Sequence, residues 1–90
     1  MTELTNLAAL ITGSNRGIGA GVARAFAAEG ASVVINYPNA GSANEAHALC
    51  ATIEAQGGTA MSIEADVTQP AAVESMIATT IESFGQLDIL

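Results

Sequence analysis

The sequence is poor in basic and aromatic residues. Its 90 residues include two basic side chains, Arg16 and Arg24, against nine acidic ones, which gives a formal net charge of −7 at pH 7. Lysine and tryptophan are absent, and aromatic residues make up 3% of the chain. Nucleic acids and anionic membranes bind basic patches, so this composition argues against both as partners. A phosphate-bearing ligand would have to be held by backbone dipoles and one or two arginines.

Cysteine and long apolar runs are also scarce. The single cysteine, Cys50, has no partner within the chain for a disulfide, which favours a reducing, cytoplasmic setting. Residues 1–4 lack the basic region and the apolar core of a signal peptide. No apolar stretch is long enough to span a bilayer. Half of the residues are nevertheless hydrophobic, which is typical of a packed domain.

A glycine-rich turn follows the first apolar run. Residues 7–11 predict a buried strand, and the residues after the turn predict a helix. Four apolar side chains of that helix fall on one face: Ile18, Val22, Ala25 and Phe26. The glycines of the turn have the spacing G-x3-G-x-G, which can also occur in a turn that is rich in glycine only for packing.

The order of strand, glycine turn and helix predicts a phosphate site. A helix N-terminus attracts phosphate because its N–H groups are unpaired and carry a partial positive charge. Glycines let the backbone approach the ligand closely. The predicted ligand is the pyrophosphate of a dinucleotide. The residues predicted to bind it are Gly13, Ser14, Asn15, Arg16, Gly17, Ile18 and Gly19.

The rest of the chain alternates between predicted strands and helices. Further strands are predicted at residues 33–35 and 60–65, and a fourth is expected to begin at residues 87–90. Ser42 and Glu45 form a predicted capping box for the second helix, and Thr68 is expected to cap the third. The order β-α-β-α-β-α-β indicates an α/β fold with a parallel sheet and right-handed crossovers.

Residues 12–19 resemble the T-G-x-x-x-G-I-G motif of the short-chain dehydrogenase/reductase family. The resemblance continues at Asp66 and Val67, which match that family's adenine-contacting Asp-Val pair, and at residues 87–90, which look like the start of its fourth strand. It implies that residues 1–90 form half of a Rossmann-type, doubly wound sheet, with strand order 3-2-1-4, truncated at strand 4. From the residues alone, Asp66 is equally consistent with a turn cap.

The end of the second strand bears on the choice between NAD and NADP. NAD-binding strands usually end in Asp or Glu, which accepts a hydrogen bond from the ribose 2′-OH. Here the strand ends in Asn36 and Tyr37, and no acid occurs between Gly30 and Ser42. Arg16 is placed to pair with a 2′-phosphate, although a solvated surface arginine is the alternative. In the resembled family these features go with NADP, so we expect NADP over NAD and predict that Asn36 and Tyr37 are among the residues that bind it.

The catalytic residues of the resembled family are missing from the sequence. That family donates a proton from a Tyr-x-x-x-Lys pair, assisted by a serine and an asparagine. This chain has no lysine, and its one tyrosine, Tyr37, has Gly41 four residues later. His47 and Cys50 have no partners at the spacing of a metal site or an activated nucleophile. No catalytic or metal-binding residue is therefore predicted.

Three interpretations of the function follow. In the first, the chain is the cofactor-binding half of an NADP-dependent oxidoreductase. The complete form acts on a small carbonyl or alcohol substrate, whereas this chain alone is inactive. Alternatively, it is a short, non-catalytic dinucleotide-binding protein or subunit that covers its open sheet edge by forming a homo-oligomer. A flavodoxin-like or receiver domain is disfavoured, because a receiver needs an acidic cluster where this chain has Thr12 and Gly13.

Overall fold

The computed structural model describes residues 4–88, which form parallel strands connected by helices. In chain order the elements are β1 (Ala8–Ile11), α1 (Gly17–Ala28), β2 (Ser32–Tyr37), α2 (Ala43–Ala55), β3 (Thr59–Glu64) and α3 (Pro70–Phe84). A short 3-10 turn, Ala40–Ser42, leads into α2. The predicted alternation of strands and helices is confirmed.

The strands of the described residues form a parallel sheet in the order β1-β2-β3. The register places Leu10 beside Val34 and Val34 beside Met61, so β2 is the central strand. This arrangement confirms the α/β class and the 3-2-1 part of the predicted strand order. It is the arrangement expected of the N-terminal half of a Rossmann-type sheet.

The predicted fourth strand falls at the limit of the described residues. Leu87 and Asp88 have no regular secondary structure, and residues 89–90 lie outside the described part of the chain. The Asp88 N–H donates to the Ala8 carbonyl at 2.9 Å, and the Asp88 carboxylate accepts from the Ala8 N–H at 2.9 Å. The segment therefore meets β1 at the edge that is not paired with β2, where the fourth strand is predicted to lie.

The strands bury side chains on both faces of the sheet, as parallel strands covered by helices do. On one face, Ala9, Val33 and Ile35 belong to a cluster that is closed by α1 and α2. On the other face, Leu10 and Val34 pack with Met76 of α3. The core thus lies on both sides of β2, and it leaves the ends of the strands free for a site.

The apolar face predicted for α1 packs on the sheet only at Phe26, which lies partly buried against the core. Ile18 is 88% exposed and Val22 is 37% exposed, whereas Ala20 and Ala23 are buried. The rotation of the helix is fixed near its start, because a Cβ on Gly19 would lie 2.9 Å from the Gly13 carbonyl oxygen. This close approach turns the small residues Ala20 and Ala23 toward the sheet and leaves Ile18 and Val22 exposed.

The predicted capping box of α2 is wrong. Ser42 occupies the N-cap position, but its side chain makes no hydrogen bond to the helix within the described residues. The Glu45 carboxylate accepts a hydrogen bond from the Asn15 side chain at 2.9 Å instead. The Glu45 side chain thus binds a residue of another segment, Asn15, and not the N-terminus of its own helix.

The start of α3 differs from the prediction by one residue. Gln69, not Thr68, is the N-cap, while Pro70 is the first helical residue and Gly85 ends the helix with a φ of 80°. Proline suits the first helical position because its missing N–H would have no helical partner there. The Thr68 hydroxyl bonds to Asp66 and so is not available to cap the helix.

Candidate dinucleotide-binding site

The predicted site residues gather at the carboxyl ends of the parallel strands. β1 runs into the turn of residues 12–16, β2 ends at Tyr37, and β3 leads to Asp66. Ligands of open α/β sheets bind outside this edge of the sheet. Sequence analysis placed the turn, the end of β2 and the end of β3 at one site, and the structure brings all three to one edge.

Two glycines shape the turn and leave its backbone open. Gly13 has a φ of 61° and Gly17 a φ of 67°, in the left-handed region that favours glycine. At both positions, apart from adjacent residues of the chain and the backbone of α1, no atom of the described residues lies within 4 Å of the place where a Cβ would stand. The turn therefore presents bare backbone to solvent on the side where a ligand would approach.

The N-terminus of α1 carries no side-chain cap from the described residues. Arg16 is the N-cap residue with extended backbone angles, and the first turn of the helix contains no acidic residue. The first N–H groups of a helix lack helical partners and carry a partial positive charge. The exposed Arg16 adds a full charge at the same place. This end of the helix thus suits an anion.

Asn36 binds the turn from the interior of the protein. Its side-chain oxygen accepts from the Gly13 N–H at 2.9 Å, and its side-chain nitrogen donates to the carbonyls of Ile63 (3.3 Å) and Ala65 (3.1 Å). The backbone N–H of Asn36 donates to the Ser14 hydroxyl at 3.1 Å. Asn36 and Ser14 are both buried, so their polar side-chain atoms face the protein interior.

Asn15 and Tyr37 are also buried at this edge. Asn15 joins the turn to α2 through Glu45, a residue that the sequence analysis assigned to a helix cap and not to the site. The Tyr37 ring lies edge-on to the His47 ring, with 6.0 Å between centroids. Asn36 and Tyr37, predicted to bind the cofactor, therefore have their side chains in the protein interior.

Asp66 forms a tight turn after β3. One oxygen of its carboxylate accepts from the Thr68 hydroxyl at 2.6 Å and from the Thr68 N–H at 2.9 Å. These two hydrogen bonds hold the pKa of Asp66 below its usual value of 3.8. The turn-capping role considered for Asp66 is thus present in the structure. Val67 beside it is 49% exposed and offers an apolar surface at the edge of the site.

Other chemically capable groups lie outside this edge. Cys50 is buried, and burial, together with the charge of Glu54, raises the pKa of its thiol despite an opposing hydrogen bond with Ser62. Within residues 4–88, no group of three or more His, Cys, Asp or Glu side chains is placed to hold a metal ion. None of the helices described is long and apolar enough to cross a membrane.

Comparison with known proteins identifies the family. A family model described as short chain dehydrogenase matches residues 7–90. The chain belongs to the short-chain dehydrogenase family. A curated relative, the 3-oxoacyl-[acyl-carrier-protein] reductase of Synechocystis, is 44% identical over 90 residues, which are 100% of this chain and 36% of the relative. The chain thus spans about a third of the length of the curated relatives it matches.

Solved structures of similar proteins confirm the fold. A short chain dehydrogenase from Burkholderia cenocepacia, in complex with NADP, has a TM-score of 0.90 and 44% identity over 97% of this chain and 35% of that protein. A blue fluorescent protein from a metagenomic library, in complex with NADPH, has a TM-score of 0.92 and 39% identity over 97% of this chain and 36% of that protein. The similarity therefore covers the described sheet and its helices.

Proposed function

We propose that this chain is the NADP(H)-binding portion of a short-chain dehydrogenase that transfers hydride between NADPH and a carbonyl or alcohol substrate. The observation that carries the proposal is the uncapped N-terminus of α1, which lies with Arg16 behind an open glycine turn at the carboxyl edge of the sheet. Two structures of similar fold were solved with NADP or NADPH, which supports the same cofactor here.

In this proposal the exposed residues of the edge face the cofactor. The first N–H groups of α1, from Gly17 to Gly19, receive the pyrophosphate, and Gly13 leaves no side chain in its way. Arg16 pairs with the 2′-phosphate through a charge-assisted hydrogen bond. Asp66 and Val67 lie where the adenine would rest, and exposed Ile18 provides an apolar contact. When bound, NADPH supplies the hydride, while these residues hold and orient it.

The remaining parts of the proposal concern the whole protein. Residues 1–90 form a dinucleotide-binding half-domain. Because the Tyr-x-x-x-Lys pair is missing from these residues, the purified chain is expected to bind the cofactor weakly and to reduce no ketone. The buried free thiol of Cys50 is compatible with a cytoplasmic location. A small carbonyl or alcohol is the substrate class of the complete form. In the alternative of a short, non-catalytic subunit, a homo-oligomer would cover the sheet edge left by the missing strands.

The two arginines provide a matched test of the cofactor assignment. Arg16→Glu and Arg24→Glu change the net charge equally, and both residues are exposed, but only Arg16 lies at the turn. We expect Arg16→Glu to weaken NADPH binding by about 10- to 100-fold, the range for losing a hydrogen bond between charged groups. NADH binding should change far less. The dissociation constants are measured by NMR titration of the chain with each dinucleotide.

The outcomes of this test separate the proposal from its alternatives. Arg24→Glu should leave the ratio of NADPH to NADH affinity unchanged. Equal losses of NADPH and NADH affinity in Arg16→Glu would remove Arg16 from the 2′-phosphate role. If the unaltered chain binds neither dinucleotide, the proposed function is wrong. Turnover of a ketone by the chain alone would contradict the claim that its catalytic residues are missing.

A further inference from the structure

We infer that Asn36 is a positioning residue for the phosphate-binding turn, which acts on the cofactor through Gly13 and Ser14 without touching it. The inference rests on the proposed function, because it concerns the same turn. It differs from the expectation drawn from the sequence, in which Asn36, at the end of the second strand, itself binds the cofactor.

The side chain of Asn36 is fully engaged inside the protein. It is 2% exposed. Its side-chain oxygen accepts a hydrogen bond from the Gly13 N–H at 2.9 Å, and its side-chain nitrogen donates to the carbonyls of Ile63 and Ala65 at 3.3 Å and 3.1 Å. An amide carries two donors and an acceptor on one neutral group, which these three bonds require. Asn36 thus links the turn after β1 to the end of β3 across its own strand.

A second link reinforces the first at the next residue of the turn. The Ser14 hydroxyl accepts from the backbone N–H of Asn36 at 3.1 Å and donates to the Ile11 carbonyl at 2.6 Å. Ser14 is completely buried. Two successive residues of the turn, Gly13 and Ser14, are therefore fastened to β2 before any ligand arrives.

This fastening should increase affinity by preorganisation. A turn that is already ordered does not lose backbone freedom when it closes around a phosphate, so less binding free energy is spent on ordering. The links act on the part of the site that receives the pyrophosphate, which NADPH and NADH share. Loss of the links should therefore weaken both dinucleotides by the same factor, in contrast to the selective loss expected for Arg16→Glu.

Asn36→Leu tests the inference, with Thr80→Val as the matched control. Leucine has the same number of side-chain heavy atoms, branched at Cγ, but makes none of the side-chain hydrogen bonds of Asn36. Thr80 is also fully buried, and its hydroxyl donates to the Met76 carbonyl at 2.8 Å within α3, away from the turn. Both variants thus lose buried hydrogen bonds, and only Asn36→Leu loses those that hold the turn.

We expect Asn36→Leu to raise the dissociation constants of NADPH and NADH alike by about tenfold, the factor that roughly one lost hydrogen bond represents. The Gly13 amide should also exchange its hydrogen faster, measured by NMR in the same samples. Thr80→Val should lower the urea midpoint of unfolding and leave both dissociation constants unchanged. Ser14→Ala, which removes only the second link, should give a smaller loss for both dinucleotides.

Each contrary result has a defined meaning. A loss for NADPH alone in Asn36→Leu would make Asn36 a direct ligand of the 2′-phosphate and overturn the inference. Equal dissociation constants in Asn36→Leu, Thr80→Val and the unaltered chain would also overturn it, while leaving the proposed function intact. If Asn36→Leu does not fold, Ser14→Ala decides: unchanged binding and unchanged Gly13 exchange contradict the inference. Failure of the unaltered chain to bind contradicts the proposed function itself.

Discussion

Substitution of Gly19 by alanine should displace the phosphate-binding turn. A Cβ at this position would lie 2.9 Å from both the Gly13 carbonyl oxygen and the Ser14 Cα, and both of these are backbone atoms. Ordinary contacts begin near 3.4 Å, so the turn or the helix has to shift by about 0.5 Å. Overpacking of this kind costs about 1–3 kcal/mol of the free energy of unfolding.

Gly21 provides the matched control in the same helix. It lies inside α1, and apart from the backbone of the helix and its chain neighbours, no atom of the described residues is within 4 Å of the place where its Cβ would stand. Alanine stabilises a helix interior by about 0.5–1 kcal/mol relative to glycine. Gly21→Ala should therefore raise the free energy of unfolding by that amount. Gly19→Ala has the same helical gain but also the contact penalty, so the net change should be a loss of up to about 2 kcal/mol.

Urea denaturation followed by circular dichroism measures both free energies, and NADPH titration measures the effect on the site. We expect Gly19→Ala to weaken NADPH binding because the shifted turn no longer matches the start of α1. Gly21→Ala should bind as the unaltered chain does. If both variants are equally stabilised and bind NADPH equally well, the close packing of the turn against α1 is not a requirement, and the reasoning is refuted.

Two further predictions concern titratable groups. NMR titration should place the pKa of Asp66 below 3.8, so the Asp66–Thr68 turn contributes to stability above that pH and loses the contribution as the pH falls. Thr68→Val should return the pKa of Asp66 part of the way to its usual value. An unchanged pKa in this variant would contradict the hydrogen bond from the Thr68 hydroxyl. Cys50 should react with a disulfide reagent far more slowly in the folded chain than in urea, because the thiol is buried. Since burial also raises the pKa of the thiol, the reaction should become faster as the pH rises and more thiolate forms. Equal rates in the folded and unfolded chain would contradict its burial.

The order of elements was predictable because each has a local cause. Apolar runs bounded by glycines and turn residues indicate β1 to β3, and the positions of Pro70 and Gly85 mark the two ends of α3. The glycine turn was found in the same way, since its spacing and its place between a strand and a helix are features of the sequence. These signals were sufficient for the parallel sheet and for a candidate site at its carboxyl edge.

Contacts between distant residues were not predictable from local pattern. The rotation of α1 depends on the approach of Gly19 to Gly13, which the spacing of Ile18 and Val22 does not reveal. Glu45 stands three residues after Ser42, as in a capping box, but bonds to Asn15 in another segment. Asn36 was singled out because an acid was missing there, whereas its contacts with β3 become visible only once the strands are paired.

The central claim is that a nicotinamide dinucleotide binds at the carboxyl edge of the sheet. The most direct test is to titrate the isotope-labelled chain with NADPH and to map the amide signals that move. The account predicts shifts at Gly17 to Gly19 and at Asp66 and Val67, with smaller shifts for NADH. A cavity of about 390 Å³ at the opposite end of the strands is lined in part by Asn6 and Ser32. Shifts confined to that end, or none at all, would contradict the account.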